Sequence, residues 1–134
     1  TGDCPLINDG CSLKLTFAGA RLPLYYARND EIEVIKGDRQ SIGYKRSDLN
    51  FDYTNHTIDI EKGMSFYLFS DGFVDQLGGQ KKRKRFGTKR FKNLLKENNR
   101  KSFDEQREIL LQAFNEHKGE HERQDDVTVL GFGF

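Results

Sequence analysis

The chain is short of cysteine, proline, net charge and long apolar runs, and each shortage removes a class of protein. Cys4 and Cys11 are the only cysteines in 134 residues. Their spacing fits no zinc motif and no histidine lies near them, so plain reduced thiols are expected, and with them a cytoplasmic location. With only two prolines there is no Pro-rich linker, and no internal repeat breaks the chain into units. No apolar stretch approaches the roughly 20 residues that a membrane-spanning helix needs, and the first residues do not form a signal-peptide pattern. The net charge is +1, so no global field attracts nucleic acid or an anionic membrane. Neither partner is expected for this domain.

What is present argues for one folded unit. Charged residues make up 32% and mean hydropathy is −0.79, polar for a globular chain. Eleven Phe and five Tyr nevertheless supply bulky core material, and at this length a real core can be buried. The pattern is α+β. Asp9-Gly10 is a hairpin signal between Cys4–Asn8 and an alternating strand Leu13–Phe17, and Pro5 places the first of these at an edge. Leu22–Ala27 and Glu31–Ile35 form a second hairpin around Asn29-Asp30, and Thr57–Ile60 alternates again before a turn at Lys62-Gly63. Met64–Phe69 is the most continuously apolar run and reads as a strand covered on both faces.

The second half reads as helical. A basic loop, 81–90, runs into a helix with Thr88 as its N-cap and Phe91, Leu94 and Leu95 on one face. Ser102 and Glu105 make a capping box for a further helix, with Ile109, Leu110, Ala113 and Phe114 as its apolar stripe. Val127–Phe134 then closes the chain as a strand.

Carboxylates stand at two strand ends. Asp71, followed by Gly72, ends the buried strand; Asp125 and Asp126 precede the last one. If those strands are antiparallel neighbours, the acids converge at one rim and offer a hard divalent cation anionic oxygens. The spacing equally fits a plain Asp-Gly turn and a polar strand cap, so by itself it leaves the metal site open.

Three blocks in order, LTFAGARLPL (Leu15–Leu24), FYLFSDGFVDQL (Phe66–Leu77) and QDDVTVL (Gln124–Leu130), with GDRQSIG at Gly37–Gly43, resemble the sporulation stage II E-type phosphatases of the protein phosphatase 2C clan. The resemblance covers almost the whole chain. It implies antiparallel sheets with two antiparallel helices on one face, a partial α-β-β-α sandwich. It also implies Mn²⁺- or Mg²⁺-dependent hydrolysis of phosphoserine or phosphothreonine by an activated water, without a phosphoenzyme. Asp71 and Asp125 match the family's metal ligands. Asp126 and Gly72 stand beside them as further metal contacts or supports, and Thr128 supports the strand. The implied substrate is a phosphorylated protein of the anti-sigma-factor-antagonist type, acted on by the cytosolic output domain of a longer sensor.

The chain departs from the family in two places. Ala20 and Arg21 follow Ala18-Gly19 where His or Asn is usual; Arg21 is a candidate phosphate contact, or simply an exposed strand-end side chain. The family's N-terminal Asp-x-x-Gly-His-Gly segment, which completes a two-metal centre, is not in the sequence. Residues 1–134 therefore read as the C-terminal two-thirds of a domain, holding at most one metal weakly, inactive alone and prone to self-association. An alternative is a non-catalytic module that keeps the fold and binds a regulatory partner. The run Lys81, Lys82, Arg83, Lys84 and Arg85 is either a solvated flap or a docking loop for an acidic or phosphorylated partner; a nucleic-acid-binding role ranks behind both. His117 and His121 have helical spacing, but Gly119 between them argues against a metal pair.

Overall fold

A computed structural model describes residues 12–43 and 48–134. The Asp9-Gly10 hairpin, Pro5, Cys4 and Cys11 lie outside the described residues.

Two sheets face each other, with helices on the outer side of the larger one. Strand β1 (Lys14–Phe17) pairs antiparallel with β4 (His56–Asp59), setting Leu15 opposite Ile58. The larger sheet has four strands in the order β3-β2-β5-β8: β2 Leu24–Arg28, β3 Glu31–Ile35, β5 Ser65–Phe69 and β8 Val129–Gly133. Each neighbouring pair is antiparallel. The β2–β3 connection is the expected tight hairpin. Asn29 and Asp30 both have positive φ, 50° and 63°, the pair of values that a type I′ turn requires to match strand twist.

The alternation within β2 and β5 explains why their sequences are apolar throughout. Tyr25, Ala27, Tyr67 and Phe69 form one face, and Leu24, Tyr26 and Phe66 the other. The second face packs on Ile58, Leu15 and Phe17 of the small sheet. The first receives α1 (Asp71–Val74), α2 (Thr88–Asn98) and α3 (Phe103–Lys118) through Phe73, Phe91, Leu95 and Phe114. Aromatic rings dominate this core: Phe69–Phe91 centroids lie 4.4 Å apart, and Phe73 sits 5.0 Å from Phe91 and 5.1 Å from Phe114. Such edge and tilted pairs contribute beyond the area they bury.

Helix α3 starts as expected, with Ser102 Oγ accepting the Glu105 N–H at 3.2 Å. Its stripe also carries a residue that an apolar pattern hides. Gln106 is buried; its Oε1 accepts from Tyr67 Oη at 2.7 Å and its Nε2 donates to the Lys101 carbonyl at 2.8 Å.

Two expectations are corrected. Gly87, with φ 90°, is the N-cap of α2, and Thr88 is the first helical residue. Phe86 and Phe91 both point into the core, and the chain must reverse sharply between them, which glycine permits. The basic stretch is not simply a loop either: β6 (Leu77–Gly78) and β7 (Lys84–Arg85) pair as a short hairpin. The Phe86 N–H closes onto the Gln76 carbonyl at 3.0 Å.

Candidate functional site

The site grows out of the β5–β8 ladder. Phe69 lies opposite Val129, and the Ser70 N–H extends the ladder by one bond, to the Thr128 carbonyl at 2.9 Å. Beyond that point a side chain takes over. Ser70 Oγ donates to the Asp126 carbonyl at 3.0 Å and accepts the Thr128 N–H at 3.0 Å. One hydroxyl thus uses both its donor and an acceptor site to fasten the end of β5 to the segment before β8.

The next residues seal the junction. Gly72 is buried, and a Cβ there would stand 2.9 Å from the Asp126 carbonyl carbon, nearer still to its oxygen, and 3.3 Å from Val127 Cγ2. The φ of Gly72 is not positive, so what the position requires is the absence of a side chain, not a special backbone. The segment of Asp71 and Gly72 therefore lies against the segment of Asp125 and Asp126 at one rim. The carboxylates of Asp71, Asp125 and Asp126 are exposed. Asp125 Oδ1 accepts the Asp126 N–H at 2.7 Å, which orients that carboxylate. Asp126 contributes its main chain to the junction through the carbonyl held by Ser70. Ser70 was not singled out in the sequence; the available signal was a hydroxyl residue between a buried strand and Asp-Gly.

Arg21 belongs to the same end of the sheet. The start of β2 and the end of β5 lie at the same end of their antiparallel ladder; Arg21 precedes the first by three positions and Asp71 follows the second by two. Arg21 leaves the strand path with φ 63°. Its N–H donates to the Asp38 carbonyl at 2.7 Å, and the Asp38 N–H donates to the Gly19 carbonyl at 2.7 Å. The Asp38 carboxylate is engaged by Thr54, accepting from its N–H at 2.7 Å and its hydroxyl at 3.0 Å. The Arg21 side chain is exposed.

The basic hairpin is tied to the acid-bearing loop. Gln76 Nε2 donates to the Glu122 carbonyl at 3.0 Å, and the Leu77 N–H donates to Gln124 Oε1 at 3.1 Å. Lys81 through Arg85 are all exposed, and Arg85 pairs with Asp75 at 3.7 Å. The two histidines of α3 and its C-terminal turn hold this hairpin. His117 Nε2 lies 3.0 Å from the carbonyls of both Gln76 and Lys84. Carbonyls only accept, so Nε2 carries the proton and Nδ1 accepts from Arg90 at 3.1 Å. His121 Nε2 donates likewise to the Gly79 carbonyl at 3.0 Å.

Chemically, the rim offers hard oxygen donors open to water. Two carboxylates completed by waters suit Mg²⁺ or Mn²⁺, which keep part of their hydration shell. Among the described residues no three His, Cys, Asp or Glu side chains cluster as a metal site, so the fit is to a partial donor set. A cavity of about 820 Å³ forms a mainly apolar groove between α3 and β8, lined by Phe103, Leu110, Leu111, Val129 and Leu130 among others.

Paired antiparallel sheets, helices on one outer face and acids at the rim define the protein phosphatase 2C-like class of domain. Within it, the chain belongs to the family described as Stage II sporulation protein E (SpoIIE), whose family model matches residues 6–134. That family is metal-dependent in general. Among solved structures, the SiaA-PP2C domain of Pseudomonas aeruginosa is 38% identical with a TM-score of 0.78, over 90% of this chain and 46% of that one. The phosphatase domain of the cell fate determinant SpoIIE from Bacillus subtilis is 14% identical with a TM-score of 0.59, over 91% of this chain and 56% of that one. A serine/threonine phosphatase from S. agalactiae is 17% identical with a TM-score of 0.59, over 90% and 55%. The last two likenesses show the fold alone. No curated protein matches. The chain spans about half the length of these solved relatives. No helix among the described residues is long and apolar enough to cross a membrane.

Proposed function

We propose that this chain is the C-terminal part of a protein serine/threonine phosphatase domain, in which Asp71 and Asp125 hold a divalent cation, Mn²⁺ or Mg²⁺. The observation that carries this reading is the sealed junction at Ser70 and Gly72, which sets the two acid-bearing segments side by side. When bound, the cation supplies Lewis-acid chemistry, activating water and offsetting phosphoryl charge. The chain's own residues do the positioning. Ser70 and Gly72 hold the Asp125–Asp126 segment against α1, Asp126 orients its neighbour through the main chain, and Arg21 offers a guanidinium to a phosphate at the same rim. The substrate is a phosphoserine or phosphothreonine protein, in the manner of anti-sigma-factor antagonists in bacterial partner switching, reached from the cytoplasm.

Two carboxylates are a partial donor set, so this chain alone is expected to be inactive. Fusing it to the N-terminal half of the SiaA-PP2C domain tests the reading. Mn²⁺-dependent hydrolysis of an aryl phosphate and a phosphoserine peptide is expected from the fusion. Asp71→Asn and Asp125→Asn should each abolish it with unchanged far-UV circular dichroism. Near-wild-type turnover in either variant would refute the assignment. A non-catalytic interaction module is a second reading, favoured by the lack of a three-ligand cluster among the described residues; a fusion that binds phosphopeptide without turnover would support it.

A further inference from the structure

The β6–β7 hairpin carries the densest run of like charge in the sequence, Lys81 to Arg85, and the rim chemistry gives it no task. Lys81, Lys82, Arg83 and Lys84 make no ion pair with the described residues; within the run only Arg85 does, with Asp75. Four like charges side by side repel one another, so a flexible loop would spread them apart. Here the base of the hairpin is fixed. Gly78 lies so close to the end of α3 that a Cβ would meet the His117 carbonyl carbon at 2.6 Å. The imidazoles of His117 and His121 bond three hairpin-region carbonyls, and Phe86 is 4% exposed beneath the Arg90 guanidinium, 4.3 Å from its ring. The charges are held out on a scaffold.

The position of that scaffold says what it meets. Only Gly72, Phe73, Val74 and Asp75 separate Asp71 from Gln76 at the hairpin base, a span on the order of 6–8 Å at helical rise. The rim itself carries Asp71, Asp125 and Asp126, exposed, with Asp75 close by; where no cation covers them, these acids repel an anionic phosphoprotein. A fixed basic arm next to them offsets that repulsion and steers the approach.

Resting on the phosphatase reading, we propose that the hairpin tip, Lys81-Lys82-Arg83, is the docking surface for an acidic stretch flanking the phosphorylated residue of the substrate protein. An extended peptide advances about 3.3 Å per residue, so acids on the same stretch as the phosphoserine, several positions away, reach the hairpin. Nucleic acid fits less well. The flanking aromatics Phe86 and Phe91 are 4% and 0% exposed and offer no stacking platform. A lipid surface fits less well too, since positions 79–85 contain no apolar side chain to insert.

The test is fluorescence-anisotropy binding by the 134-residue chain in EDTA, which separates docking from turnover. The probes are a phosphoserine peptide with Asp/Glu flanks, the same peptide with Asn/Gln flanks, a 20-base-pair DNA duplex, and phosphatidylserine–phosphatidylcholine vesicles. The acidic peptide should bind most tightly, weaken steeply with salt, and lose about tenfold or more in affinity in Lys81→Glu/Lys82→Glu/Arg83→Glu. That variant should keep its melting temperature, because all three side chains are exposed. Equal binding of acidic and neutral peptides, or an unaffected triple variant, overturns the proposal. So does preferential binding of DNA or vesicles. Any of these results leaves the fusion assay for phosphatase activity standing, and an inactive fusion whose parent chain still binds the acidic peptide sinks the catalytic reading alone.

Discussion

Replacing Gly72 by alanine adds one methyl group at the junction that brings the acids together. In a helix the exchange should help, by up to about 1 kcal/mol, and less in a helix of four residues. The steric term opposes it. The new Cβ would lie 2.9 Å from the Asp126 carbonyl carbon, where about 3.5–4.0 Å is comfortable, and the oxygen is nearer still. The segment carrying Asp125 and Asp126 must then withdraw by about 1 Å. Its carbonyl is the acceptor for Ser70 Oγ, so that hydrogen bond is strained as well. Overpacking costs about 1–3 kcal/mol and exceeds the propensity gain. A net destabilisation of about 1–2 kcal/mol follows, and at m-values near 1–2 kcal/mol/M it lowers the urea midpoint by about 1 M. The chain has no tryptophan, so the transition is read by circular dichroism. In the fused domain the same 1 Å shift should reduce Mn²⁺-dependent turnover about 100-fold. An alanine variant as stable as the parent, with normal turnover, would show that the rim does not depend on this contact.

Tyr67→Phe leaves the buried Gln106 Oε1 without its donor, so a loss of about 1–3 kcal/mol is expected in urea melts. Alkaline pH acts on the same core. Burial raises the phenol of Tyr67, outweighing hydrogen bonds with Ser65 and Gln106, and burial also raises Tyr25 and, with help from Glu33, Tyr26. Above pH about 10 the unfolded chain releases protons that the native chain keeps. It then binds fewer protons than the fold, so stability falls as pH rises; a urea midpoint unchanged between pH 8 and 10.5 would contradict this. The open side of β8 leads to a third expectation. Leu130, Leu111 and Phe103 are 53%, 42% and 39% exposed and line one groove, and edge strands with apolar faces invite pairing. Sedimentation should show concentration-dependent association of the 134-residue chain, and a clean monomer at high concentration would refute it.

Much of this architecture is local and therefore legible in the residues. Asn29-Asp30 specifies its turn because both positions tolerate positive φ. Ser102 and Glu105 mark the start of α3, and an apolar run without alternation, Met64–Phe69, announces a strand covered on both sides. The three family blocks carry the fold class and the acids because they sit at strand ends. What stayed hidden depends on partners distant in the chain. No local rule says that Gly72 must lack a side chain for the sake of Asp126, 54 positions away, or that Ser70 closes the ladder with its hydroxyl. Gln106 reads as a surface polar residue until Tyr67 supplies its donor, and the basic run reads as loose until His117 and His121 fold back on it. A carboxylate pattern names the chemistry available to the chain; only packing decides which carboxylates share a rim, because that convergence is made of backbone contacts that no residue type encodes.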